Sequence, residues 1–300
     1  MQIGVIYPQT EMETDPGAVQ QFAQTVEAMG FSHVLAFDHV VGANRASRPG
    51  QTLPYDLDSS FHEPLVLFSF MAARTTKLGF ITGVLILTQR QSVLVAKQAA
   101  CLDVLSGGRL RLGVGSGWNL AEYEALGMAF ETRGARIEEQ IAVMRALWTE
   151  RTVDFRGKEH LIPDAGLNPL PVQRPIPVWF GGGGDRPHFG QTANLKVVRR
   201  IARIGDGWIQ PKMPLPRAQE LTEVFRGYWR EYGRDPGSVG IEVRIDLSLA
   251  TQGDWAEELK AWEGMGASHV SLSTMGDGLF GVDAHLERLK LFRDAAPAAS

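Results

Sequence analysis

The 300-residue chain holds a single cysteine, Cys101, so no internal disulfide can staple it. That excludes the small disulfide-framework class and fits a reducing compartment, with Cys101 read as packing inside the helix-like stretch "VLVAKQAACLDVL". No apolar run nears the ~18 residues of a membrane span. The chain starts directly on the strand-like "IGVIYP", without a basic and then apolar leader, which predicts a cytoplasmic protein. Cationic excess is missing too: 30 Lys and Arg stand against 34 Asp and Glu, a net charge of -4. Nucleic acid and anionic membrane surfaces are therefore poor partners, and a small molecule is favoured. None of the 7 histidines has the HExxH or Cys/His spacing that holds a metal, so no metal site is expected. A GxSxG elbow and a GxxxxGK[ST] phosphate loop are absent as well, which removes the usual signals for acyl transfer and nucleotide hydrolysis.

What is present is alternation. Apolar runs of strand length are followed by amphipathic stretches of helical length from one end to the other. The strand candidates lie at 3–8, 33–38, 77–86, 110–117, 177–182, 206–210, 242–249 and 269–274. Helical stretches such as "RGARIEEQIAVMRALWTE" and "RAQELTEVFRGYWREYG" lie between them. Eight such units in one chain predict an α/β fold, a (β/α)8 TIM barrel forming a single domain over 1–300. A doubly wound open sheet is the alternative. Two segments exceed a normal connection, 42–64 and 151–176, and are expected to be irregular insertion loops on the substrate side.

Barrel sites sit at the C-terminal strand ends, which here read as glycines and polar side chains. Asp38 and His39 follow strand two; Thr82, Gly83 and Val84 lie in strand three; Ser116, Gly117 and Trp118 follow strand four. Gly83 interrupts the otherwise aliphatic "ITGVLILTQRQ", where glycine marks a bulge or a close approach of another body to the backbone. In "WFGGGGDR", Gly181, Gly182, Gly183 and Gly184 can turn consecutive amides inward as an anion nest ahead of a helix, with a phosphate as guest; a plain surface loop is the other reading. "GVGSG" at 113–117 matches a dinucleotide fingerprint only loosely, its third glycine falling one residue early.

These motifs together resemble the luciferase-like monooxygenases and their relatives that use the deazaflavin coenzyme F420. The resemblance rests on "GGRLRLGVGSGWNLAEYEALGMAFETRGARIEEQIAVMRALW" (107–148), "ARIGDGW" (202–208), "FDHVV" (37–41) and "PVWFGGGG" (177–184). It implies a cis peptide at Gly83–Val84 set against the central ring of a flavin or deazaflavin. It also implies that Asp38 contacts this cofactor and that His39 protonates or orients groups near the ring. Thr82 would donate to the ring edge, Ser116, Gly117 and Tyr123 would hold the cofactor tail, and Gly181 to Gly184 would cradle its phosphate. Glu122 lies beside Tyr123, and both remain readable as plain helix residues; His39 remains readable as a core histidine. The sugar-phosphate dehydrogenases of the deazaflavin branch carry a glutamate where this chain has Trp118, which argues against a phosphosugar and for an apolar pocket. The resemblance thus implies an F420-dependent oxidoreductase acting on a small apolar substrate, forming a homodimer. The alternatives are an FMNH2-dependent monooxygenase using oxygen and a barrel that binds flavin without catalysis.

Overall fold

The computed structural model describes residues 1–50, 53–185 and 192–296. Along the chain run β1 (Gln2–Ile6), α1 (Pro16–Ala28), β2 (His33–Ala36), α2 (Pro64–Ala72), β3 (Gly79–Thr82), β4 (Leu85–Ile86) and α3 (Ser92–Ser106). Next come β5 (Leu110–Gly115), α4 (Leu120–Ala125), α5 (Arg133–Thr149), β6 (Val153–Arg156), β7 (Leu161–Ala165) and β8 (Val178–Gly181). The chain ends with α6 (Leu195–Ile204), β9 (Gly207–Ile209), α7 (Leu215–Glu231), β10 (Gly240–Asp246), α8 (Trp255–Met265), β11 (His269–Ser273) and α9 (Val282–Ala295).

The hydrogen-bonded order is β3, β2, β1, β11, β10, β9, β8, β5, and β3 pairs β5 in turn, so the order returns on itself. This is the (β/α)8 barrel that the alternation predicts. Each of the eight expected strands has its counterpart. The third is broken: β3 stops at Thr82, β4 resumes at Leu85, and both pair β5, through Phe80 to Leu110 and Leu85 to Val114. No helix among the described residues is long and apolar enough to cross a membrane.

Contacts group the chain into two compact units. The first comprises 1–36, 77–79 and 179–300. Its strands β1, β10 and β11 are in register through Gly4 to Ser271 and Arg244 to Ser271, and their Val5, Val243, Ile245, Val270 and Leu272 are buried. Helix α1 shows why its sequence is helical: the Asp15 carboxylate caps it by accepting the Ala18 amide at 3.0 Å, and Pro16 fills the first turn. Val19, Phe22, Ala23 and Val26 then recur on one buried face.

The second unit comprises 37–76 and 80–178. Helix α3 buries Val95, Ala96, Ala99, Ala100 and Leu102 and stops at Gly107, whose φ of 71° suits glycine at that cap. The 151–176 segment differs from its expected irregular course. It carries the antiparallel hairpin β6–β7, in register through Phe155 and Ile162. The alternation Val153 buried, Asp154 exposed, Phe155 half-buried, Arg156 exposed is a short strand pattern. The prolines that masked it all lie at or beyond Pro163, in and after β7.

Candidate active site

The second unit gathers one polar cluster at the ends of β2, β4 and β5. Asp38, two residues past β2, is buried and has both oxygens engaged. Oδ2 accepts the Ile86 amide at 2.8 Å and Oδ1 accepts Arg90 Nη2 at 2.6 Å. Burial pushes its carboxyl up from the ordinary value, against the opposing pull of Arg90 and the Ile86 amide. Asp38 therefore acts as a bracket that seats β4, and Arg90, 3.6 Å from Glu63 as well, extends that bracket.

Glu122 is the second bracket, and its role lay outside the sequence reading. Projecting from α4, it is almost fully buried. Oε1 accepts from His39 Nδ1 at 2.9 Å and from the Val40 amide at 3.0 Å, while Oε2 accepts from Gln89 Nε2 at 3.0 Å. Burial by itself would raise this carboxyl; the donors from His39, Gln89 and Val40 reverse the effect and hold it below the ordinary range. An ionised Glu122 accepts only, so His39 carries its proton on Nδ1. Its Nε2 then has no partner among the described residues. The His39 ring is fixed between Tyr55, Phe61 and Trp118, with centroids at 5.1, 4.7 and 5.9 Å, and borders a small depression of about 70 Å³ that also includes Asn119. A histidine with one nitrogen clamped by a carboxylate and the other open is the arrangement of a proton donor or acceptor.

Between buried Thr82 and buried Leu85, only Gly83 and Val84 are partly exposed in the whole stretch 80–89. The peptide bond joining them is cis, as the resemblance implies. Gly83 and Val84 thus present a small uncharged ledge of backbone and valine side chain. Gly117, at φ 63°, closes the turn after β5; a Cβ there would lie 2.7 Å from Ile86 Cγ2, so the turn requires glycine.

Other expected ligand groups are spent inside the protein. Thr82 gives its proton to the Gly113 carbonyl at 2.6 Å, so the donation expected toward a ring edge goes into the sheet instead. Tyr123 is fully buried, and its hydroxyl donates to the Ser116 carbonyl at 2.6 Å beside Thr88 Oγ1. Burial pushes that phenol up from its ordinary value. Trp118 forms one wall of the His39 cage.

Gly181 to Gly184 belong to the first unit. Gly182 and Gly183 have φ of 119° and 82°, the left-handed backbone that the nest reading requires. Their carbonyls accept Trp208 Nε1 and the Asn194 amide, at 2.8 and 2.9 Å. A Cβ on Gly183 or Gly184 would meet Val198 Cγ2 at 2.9 Å or Met213 Cε at 2.4 Å. Glycine at 183 is favoured by the Val198 contact and by its positive φ, whereas at 184 the terminal Met213 methyl could move aside. Asn194 Oδ1 caps the Lys196 and Val197 amides of α6, so the positive end of that helix already has an acceptor. Residues 186–191 of the tract "GGGGDRPHFGQTAN", His188 among them, lie outside the described residues. No group of three or more His, Cys, Asp or Glu that could hold a metal occurs among the described residues.

Residues 1–274 match the family model described as luciferase-like monooxygenase. A Mycobacterium tuberculosis protein of uncharacterised function is 34% identical over 285 residues, covering 91% of this chain and 92% of that one. An F420-dependent glucose-6-phosphate dehydrogenase of Kineococcus radiotolerans is 31% identical over 241 residues, 78% of this chain and 64% of its own. An FMNH2-dependent dimethylsulfone monooxygenase of Pseudomonas putida is 31% identical over 188 residues, 61% and 48%. Among solved structures, the monooxygenase RslO1 of Streptomyces bottropensis superposes with a TM-score of 0.77 at 19% identity, over 98% of both chains.

Proposed function

The chain belongs to the luciferase-like monooxygenase family, and from that premise we propose that it is an oxidoreductase moving a hydride between coenzyme F420 and a small apolar organic substrate. The observation that carries the reading is His39, held through Nδ1 by Glu122 and open at Nε2. A bound deazaflavin supplies or accepts hydride at its ring. Gly83 and Val84 would hold one face of such a ring and so would leave the other to the substrate. His39 Nε2 holds or delivers the proton that accompanies hydride at a carbonyl, imine or activated double bond. Glu122 keeps the imidazole in the tautomer and orientation this requires, and its negative charge stabilises the imidazolium. Tyr55, Phe61 and Trp118 exclude water around the ring and favour an apolar substrate over a phosphosugar. Asp38 acts on this site through Arg90 and β4.

Flavin mononucleotide with oxygen is the second reading, favoured by the Pseudomonas relative's reaction and by the same uncharged ledge. The two separate by titration of the purified protein with F420 and with FMN, following quenching of its 7 tryptophans. Saturable quenching by F420, together with F420-dependent turnover that His39→Ala abolishes, is the expected result. Saturable quenching by FMN alone would overturn the F420 assignment, and binding of either without turnover would leave a flavin-binding barrel.

A further inference from the structure

A second constellation, unrelated to the redox reading, lies where the hairpin meets α3 in the second unit. Ser92 Oγ is 2.7 Å from His160 Nε2, and His160 Nδ1 is 2.8 Å from Glu139 Oε1. The proton positions follow from the chemistry of Glu139. Its carboxylate also accepts the Lys158 and Glu159 amides, each at 2.8 Å, and these donors with His160 hold it down to about 2 against burial. Being ionised, it accepts from His160 Nδ1, which leaves Nε2 to accept the Ser92 hydroxyl proton. Carboxylate, imidazole and hydroxyl therefore form one directional chain.

Three further features surround it. Ser92 is the first residue of α3, no side chain caps that helix, and the first amide with an acceptor is Val95, bonded to the Gln91 carbonyl at 3.0 Å. The Val93 and Leu94 amides thus donate to no described group, next to the hydroxyl. Ser92 and His160 line a cavity of about 650 Å³. Its wall is apolar at Val93, Leu94, Met128 and Leu167, with Lys97 and Arg136 among its cations.

We propose that Ser92, His160 and Glu139 form a hydrolytic triad acting on esters of a small apolar acyl group, with the Val93 amide as oxyanion donor. Ser92 Oγ bonds to the ester carbonyl carbon while its proton passes to His160 Nε2. The carbonyl oxygen, now negative, meets the helix-start amides, in the same relation to its nucleophile as the residue after the serine in a nucleophile elbow. Collapse breaks the bond to the alkoxy oxygen, which takes the proton from Nε2 and leaves as an alcohol. Water then attacks the Ser92 ester, gives one proton to Nε2, and releases the carboxylic acid as that proton returns to Oγ. The sum is ester plus water to acid plus alcohol, with no redox partner.

The test uses the purified full chain with no flavin or deazaflavin added. A fluorophosphonate probe is expected to add one label, mapped to Ser92 by peptide mass, and 4-nitrophenyl butyrate to be hydrolysed above buffer. Ser92→Ala removes only a hydroxyl and is expected to lower that rate at least about a hundredfold, with thermal unfolding within a few degrees of wild type. His160→Ala added to Ser92→Ala is expected to lower it no further, because the groups act as a unit. Absence of label on wild-type Ser92, or a Ser92→Ala rate equal to wild type, would overturn the proposal and reduce the bond to a pin between hairpin and helix.

Discussion

Strand β2 begins with one histidine, and another stands three residues past its end, each 2.9 Å from a glutamate, and the two pairs teach opposite lessons. His33, the first residue of β2, is buried against Glu242 of β10. Ser32 meets its Nδ1 at 2.8 Å, and Ser271 lies 3.1 Å from its Nε2. Both ring nitrogens are satisfied, and the ring lies over Gly4, where a Cβ would meet it at 2.3 Å. His39, past the C-terminal end, keeps one nitrogen open and borders a depression. Partner, distance and residue type are the same; what separates a structural pin from a reactive group is whether the second nitrogen is spoken for. Barrels put stability at the N-terminal strand ends and chemistry at the C-terminal ends, and the two histidines divide accordingly.

The sharpest way to break that contrast is His39→Ala. Turnover with the identified cofactor, measured by steady-state kinetics per folded molecule, is expected to fall about 10²- to 10⁴-fold with cofactor quenching nearly unchanged; the thermal melt is expected to drop, because buried Glu122 loses its partner. Glu242→Ala is the mirror image. Breaking a buried pair costs about 3–5 kcal/mol, so urea unfolding is expected to show that loss while kcat per folded molecule stays at the wild-type value. If Glu242→Ala instead lowers kcat in the folded protein, the division by strand end is wrong.

Glu122→Gln sharpens the same point. The amide still accepts from His39 but carries no charge, and a fall in kcat of about 10- to 100-fold with little change in KM is expected, as for a partner that orients a reacting group. Glu122 is also held below its ordinary value, so the stability it lends is full above that value and fades as pH falls through the lowered one. Glu139 behaves likewise over a wider span, from its ordinary 4.5 down to about 2. Glu139→Gln, which removes that contribution, is expected to move acid unfolding, followed by circular dichroism, toward neutral pH and to flatten the pH dependence of stability between 4.5 and about 2. Tyr123→Phe is the smallest change: its hydroxyl bonds the Ser116 carbonyl and Thr88 Oγ1, so a loss of about 0.5–1.5 kcal/mol and unaltered turnover are expected.

The fold was legible because a barrel repeats one signal eight times, and the Gly83 break was legible because glycine inside an aliphatic strand stands out. Within the site, His39 could be named from its place after β2. Glu122 could not be assigned as its partner, since the two lie 83 positions apart and nothing local in "NLAEYEA" separates a capping glutamate from one aimed inward. Gln89 and Arg90 sat in the quoted "LTQRQ", where only packing shows that they reach Glu122 and Asp38. The partners of Thr82 and Tyr123 were equally hidden: only folding shows which backbone carbonyls their hydroxyls satisfy.

By itself the sequence determined the periodic elements, the barrel, and the family, because hydrophobic period and glycine placement are local properties that each segment carries. Only tertiary structure decided which polar groups remain open. Hydrogen-bond satisfaction is a pairwise matter between residues far apart in the chain: His33 and His39 each meet a glutamate and part company in what folding brings to the other nitrogen, and Ser92, His160 and Glu139 become one chain of donors and acceptors only once the hairpin packs on α3.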